Sequence, residues 1–73
     1  MNHYMKDALH GCIEIDLQKY EGVEFVVPKL KSVWPEAHSR NDLLRRIAIF
    51  AADNGWHVEI FDSRFRVCFA KHA

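Results

Sequence analysis

CIEIDLQKYEGVEFVV, residues 12–27, decides how many strands the chain contributes to a sheet. Ile13, Ile15 and Leu17 alternate with Glu14 and Asp16, which is the period of a half-buried strand. Val23, Phe25 and Val27 repeat that period beyond Gly22, and Pro28, with no N–H to give to a ladder, ends the run. QKYEG between them supplies a turn in which Gly22 is available for a positive φ. Together the two runs predict a β-hairpin. The polar residues 1–11 that precede it are expected to form a flexible arm.

Downstream, PKLKSVWPEAHS (28–39) holds two prolines and no clean period. It reads as a connection anchored by Trp34, with one helical turn begun by Pro35 at a first helical position. Ser39 followed by Asp42 makes an N-cap with an acid three residues on, and Leu43, Leu44, Ile47, Ala48, Phe50 and Ala51 then fall along one helical stripe. Asn54-Gly55 closes that helix, the glycine being suited to the left-handed cap.

The last run, WHVEIFDSRFRVCFAKH (56–72), has the alternation of a second hairpin. A two- or four-residue loop centred on Asp62-Ser63 sets Ile60 opposite Phe65, Val58 opposite Val67 and Trp56 opposite Phe69, all on one face. The same register sets Glu59 across from Arg66, Phe61 across from Arg64 and His57 across from Cys68, so the polar face is satisfied by charge pairing and a cation–π contact. The sum is a single α+β domain over residues 1–73 of ββαββ order, one helix packed on a four-stranded, mostly antiparallel sheet. The second face of that sheet is left to solvent or to a partner.

A chain of 73 residues buries only about 60% of the surface its unfolded form exposes, which disfavours a deep enclosed active site. Its apolar and charged fractions, 49% and 27%, are those of an ordinary globular domain. Ten acids balance ten Lys and Arg, so no bulk field draws the chain to nucleic acid or an anionic membrane. The distribution is less even than the sum: six acids face four lysines in residues 1–36, whereas residues 37–73 carry four acids, six bases and every arginine. A dipolar chain of this kind suits a protein partner of mixed charge. No stretch approaches the roughly 18 apolar residues of a membrane span, and MNHYMKDALHG lacks the apolar core of a signal peptide. A cytoplasmic location is therefore expected, with Cys12 and Cys68 reduced.

An imidazole beside a thiol is how cysteine hydrolases activate their nucleophile, and the register places His57 beside Cys68. The outer face of a flat hairpin offers no pocket, oxyanion donors or group to orient the histidine, so Cys68 is expected to be an ordinary sheet residue and the chain not to be an enzyme. His10 with Cys12, and Cys68 with His72, bring the donor types of structural zinc to the two chain ends, where they meet if the first and last strands are neighbours. One residue between ligands in the first pair and three in the second match no recognised finger, so exposed histidines, free cysteines and no cofactor are expected instead. RFRVCF has the look of an aromatic-rich RNA-binding strand, and Phe61 with the arginines would serve single-stranded RNA or DNA as a stacking platform. The glycines of the RRM signature are missing and the charge is balanced, which leaves this as the alternative. A protein-binding module needs no pocket, and Phe61, Arg64 and Arg66 on the hairpin, with Arg45 and Arg46 on the helix, are the residue types that make interface hot spots. Ile49 lies outside the main helical stripe beside those two helix arginines, either buried by the sheet edge or available to a partner.

Across all 73 residues, a compact domain with no enzyme motif and surface charge of both signs resembles the very small host-takeover proteins of bacteriophages, among them inhibitors of bacterial RNA polymerase. The resemblance is one of length and style, rests on no diagnostic motif and transfers no functional residue. It implies a location in the host bacterial cytoplasm, binding to host RNA polymerase, inhibition of sigma-dependent initiation and altered termination. Other phage antagonists, such as CRISPR inhibitors, share the same features.

Overall fold

The computed structural model of the protein describes residues 3–61 and 65–71. Its elements run α1 (His3–Lys19), β1 (Gly22–Val26), α2 (Val27–Lys31), α3 (Arg40–Asp53), β2 (Trp56–Phe61) and β3 (Arg66–Lys71). The sheet has three antiparallel strands in the order β1-β3-β2. The expected four-stranded ββαββ arrangement is therefore corrected: the class remains α+β, but the first expected strand, residues 12–17, belongs to a 17-residue helix.

That helix follows from burial. Leu9, Ile13 and Leu17 recur every four residues and are all buried, which puts them on one face of a helix. Ile15, which a strand would turn to the same side as Ile13, is 56% exposed instead. The segment expected as an arm supplies the first part of α1 from His3 onward. Tyr20, whose N–H donates to the Asp16 carbonyl at 2.7 Å, ends the helix, and the chain turns into β1.

The helical turn expected at Pro35 lies one proline earlier. Val27 and Pro28 open α2, where proline's fixed φ suits a first turn and its missing N–H costs nothing. Val27, expected to continue the strand, instead buries its side chain from the start of α2. Trp34 anchors the following connection at 3% exposure. In α3 the Ser39 hydroxyl accepts from the Asp42 N–H at 3.1 Å, as the sequence predicts, and the Asp42 carboxylate accepts from the His38 N–H at 3.0 Å. At the other end the Asn54 side-chain amide donates to the Phe50 carbonyl at 2.9 Å, and Gly55 takes φ +71°.

All three helices lie against one face of the sheet. Val23 and Phe25 of β1, Val67 and Phe69 of β3, and Trp56 and Val58 of β2 meet Ile13, Leu17, Leu30, Leu43, Ile47 and Ala51 in a single core. Phe50 links the aromatic part of it, meeting Trp34, Trp56 and Phe69 edge-on with ring centroids 5.4, 5.7 and 6.3 Å away.

The β2–β3 register keeps the expected faces but slips by two residues: Ile60 pairs with Val67, Val58 with Phe69 and Trp56 with Lys71. A slip of two preserves which side chains point inward, so the core tolerates it. It changes every cross-strand partner on the outer face. His57 stands opposite Ala70 rather than Cys68, Glu59 opposite Cys68 rather than Arg66, and Phe61 opposite Arg66. The expected Phe61–Arg64 contact falls on a residue outside those described.

Candidate interaction surface

Because the helices occupy one face of the sheet, the other carries three cross-strand rows on an open surface. Gly22, Ala70 and His57 form the first row, Glu24, Cys68 and Glu59 the second, and Val26, Arg66 and Phe61 the third. Gly22 is what the first row needs, since a Cβ there would lie 3.1 Å from the Cys68 Sγ and 3.3 Å from the Phe69 carbonyl oxygen. Along the third row Val26 and Phe61 keep 42% and 39% of their surface exposed on either side of the Arg66 guanidinium. Arg66 reaches Glu24 of β1 at 3.3 Å and not Glu59, so its expected ion pair is corrected too.

Next to this row, the Val27 N–H donates to the Phe65 carbonyl at 2.8 Å. Phe65 has φ +51°, a left-handed conformation that is an outlier for a bulky side chain, and its ring is 56% exposed beneath the Arg40 guanidinium, 4.8 Å from the ring centroid. The end of the sheet that carries Val26, Phe61 and Arg66 thus continues into Phe65 and Arg40. Sequence reasoning placed Phe65 in the core, opposite Ile60, and passed over Arg40. The two-residue slip moves Phe65 out of the ladder, and Arg40 follows directly from the Ser39 cap as the first residue of α3.

Of the five residues expected to bind a partner, Phe61 and Arg66 are brought together as cross-strand neighbours. Arg64 lies outside the described residues. Arg45 and Arg46 sit on α3, on the opposite side of the sheet, and are engaged locally: Arg46 reaches Asp42 at 3.1 Å and Glu36 at 3.5 Å, and Arg45 reaches Asp42 at 3.4 Å. The backbone N–H of His38 first, and then Arg46, hold the Asp42 carboxyl below its ordinary range. Ile49, 54% exposed, lies beside a shallow depression with Lys6, Trp34, Arg46 and Asp53, away from the sheet row.

The cysteine and histidine readings are also placed. Burial, followed by the carboxylates of Glu24 and Glu59 on either side, pushes the Cys68 thiol above its usual range, which disfavours the thiolate. His10 stacks on the Trp56 ring with centroids 5.3 Å apart and pairs with Glu14 at 3.0 Å, over the helical face of the sheet. Cys68 is on the other face, so α1 does not bring His10 and Cys12 to it, and His72 lies outside the described residues. Among the described residues no three His, Cys, Asp or Glu side chains gather as a metal site, and no helix is long and apolar enough to cross a membrane.

The chain matches no family model, no curated protein and no solved structure.

Proposed function

We propose that the protein is a non-enzymatic regulator that binds a large bacterial protein assembly, RNA polymerase first, in the bacterial cytoplasm, and blocks sigma-dependent initiation with an accompanying change in termination. The observation that carries the binding part is the row of Val26, Arg66 and Phe61 on an open sheet face, continued by Phe65 and Arg40. Arginine and aromatic side chains held on rigid strands contribute large contact areas at little entropic cost and dominate interface energetics. The choice of polymerase rests on the resemblance in length and charge style to phage takeover proteins.

A nucleic-acid partner would use the same Phe61 and Arg66, since open sheets with exposed aromatics are stacking platforms. The neighbouring row weighs against it. Glu24 and Glu59 flank Cys68 in the adjacent row, and carboxylates there repel a phosphate backbone.

A tagged copy purified from bacterial lysate under conditions that preserve complexes is expected to carry polymerase subunits, and the purified chain to reduce promoter-complex formation by sigma-bound enzyme. Absence of every polymerase subunit overturns that partner. Oligonucleotide binding that weakens log-linearly with salt, in place of polymerase recovery, would return the face to the nucleic-acid reading.

A further inference from the structure

The sheet ends on β1 at one side and on β2 at the other. Strand β1 turns straight into the proline-containing helix α2. Strand β2 carries none of the devices that blunt a sheet edge: its residues, WHVEIF, include no proline or lysine, and it pairs one to one with β3 along its whole length, without a bulge. Among the described residues no backbone hydrogen bond reaches β2 except from β3. The N–H and C=O groups on its outer side are thus open to a further strand.

The inward-facing side chains add an independent observation. Val67 and Phe69 of β3 are fully buried, but their cross-strand partners on β2 are not: Ile60 keeps 39% of its surface exposed and Val58 is half-buried. The helix layer is centred away from β2, and apolar surface is left bare beside the open edge.

The sequence of β2 selects what can cover that edge. In an antiparallel ladder the outward-pointing backbone groups belong to alternate residues, so a β2 strand can meet a second β2 only in registers centred on a residue. Centring on Val58 sets His57 against Glu59 of the second copy and Trp56 against Ile60 of the second copy, each twice by symmetry, with Val58 against itself. An imidazole donates to a carboxylate whether it is neutral or protonated. Among the described residues Glu59 reaches no basic side chain but His57 of its own strand, at 3.7 Å, and both side chains are more than half exposed. The adjacent registers, centred on His57 or on Glu59, oppose identical polar groups, carboxylate against carboxylate in the second case.

We propose that β2 is a self-association edge, through which two copies of this chain pair antiparallel about a two-fold axis at Val58 and join their three-stranded sheets into one. The second copy is chosen by charge complementarity, since the same strand supplies both the donor and the carboxylate. Such a contact is isologous and closes as a dimer. An interface one strand long is small, so the dimer is weak and concentration-dependent. Pairing sets the two open faces side by side, and the row of Val26, Arg66 and Phe61 is then presented twice. Self-association goes beyond the protein-binding reading above and does not depend on it.

Sedimentation equilibrium of the full chain, over a series from micromolar to millimolar concentration, is the test. The mass should rise from 8.6 kDa and level at twice that value. His57→Glu opposes two carboxylates at both symmetric sites and should weaken association at least about tenfold. Adding Glu59→Lys to it restores an opposite pair at both sites and should restore the dimer. Only the register centred on Val58 predicts that rescue, because centring on His57 or Glu59 would set like charges together in the double variant. Both positions are exposed on the outer face, so each variant should melt, at low concentration, near the temperature of the parent chain. Amide hydrogen exchange in β2 should slow as the parent chain is concentrated.

A mass that stays at 8.6 kDa throughout the series overturns the proposal. So does a mass that grows past the dimer, a dimer indifferent to His57→Glu, or a loss that the double variant, melting like the parent, does not restore. Concentration-dependent protection confined to β1 or to another surface overturns it as well.

Discussion

Helices α1 and α3 cover the same face of the same sheet, yet they are helices for different reasons. In α3 the local signals agree: the Ser39 hydroxyl caps its start, Asp42 stands in its first turn, Asn54 and Gly55 close it, and Leu43, Ile47 and Ala51 form a buried stripe. In α1 they conflict. It has no acid in its first turn, a glycine in its middle and β-branched Ile13 and Ile15, all of which lower helix propensity. What makes it helical is the buried series Leu9, Ile13 and Leu17 on β1 and β3. A helix with poor propensity owes its stability to the tertiary packing of its apolar face.

The largest effect that follows is at Ile13, which is fully buried. Ile13→Ala should destabilise the protein by about 2–5 kcal/mol, against a total of about 4–11 kcal/mol for a domain of this length. Urea unfolding followed by circular dichroism measures it. A loss below about 1 kcal/mol would mean that α1 contributes little to the core and that the contrast with α3 is misplaced.

A smaller loss is expected in α3, where stability is spread over local devices. Ser39→Ala removes the acceptor for the Asp42 N–H and should cost about 1 kcal/mol. The same unfolding measurement applies, and a cost equal to that of Ile13→Ala would erase the distinction between a helix with its own signals and one held by packing.

Gly11 gives a change of opposite sign and comparable or lesser size. It lies inside α1 at a point where an added Cβ meets nothing within 4 Å. Gly11→Ala should therefore stabilise by about 0.5–1 kcal/mol, by lowering the chain entropy lost on folding. Had residues 1–11 been an arm, the substitution would leave the unfolding midpoint where it is.

The same contrast explains what the sequence made legible. Cap, stripe and stop in residues 39–55 are written locally, and the alternation of 56–61 with 66–71 sorted inward from outward side chains correctly. The slip of two in their pairing was invisible because both registers bury the same residues. That slip is what moved Phe65 from the expected core to the exposed surface and gave Phe61 the neighbour Arg66 in place of Arg64. Arg40 was missed because it stands between a cap and a hydrophobic stripe, where a charged residue at a helix start draws no notice. Only the fold, which sets it over the Phe65 ring, gives it a role. Residues 12–17 failed for a different reason. Ile13 and Leu17 satisfy a period of two and a spacing of four equally, so within six residues the strand and helix readings differ in Ile15 alone. Extending the window back to Leu9 and Met5 favours the spacing of four.

Ile15 is accordingly the residue whose substitution separates the two readings most sharply while changing stability least. In a hairpin it would share the core-facing side with Ile13 and Leu17, and a lysine there would place a charge among apolar side chains at a cost of several kcal/mol. In α1 it is turned to solvent between Glu14 and Asp16 and is 56% exposed. Ile15→Lys should then alter stability by no more than about 0.5 kcal/mol, the ordinary range for a surface site. Two terms nearly cancel there: lysine has slightly better helix propensity than isoleucine, and the isoleucine loses its partial burial. Lysine also lies four residues before Lys19 on the same helical face, a like-charge spacing that costs a few tenths of a kcal/mol. Parallel unfolding of Ile13→Ala and Ile15→Lys provides the comparison. A ratio of severalfold between the two losses is the mark of a helix that shows one face to the sheet, and near-equal losses would restore the strand.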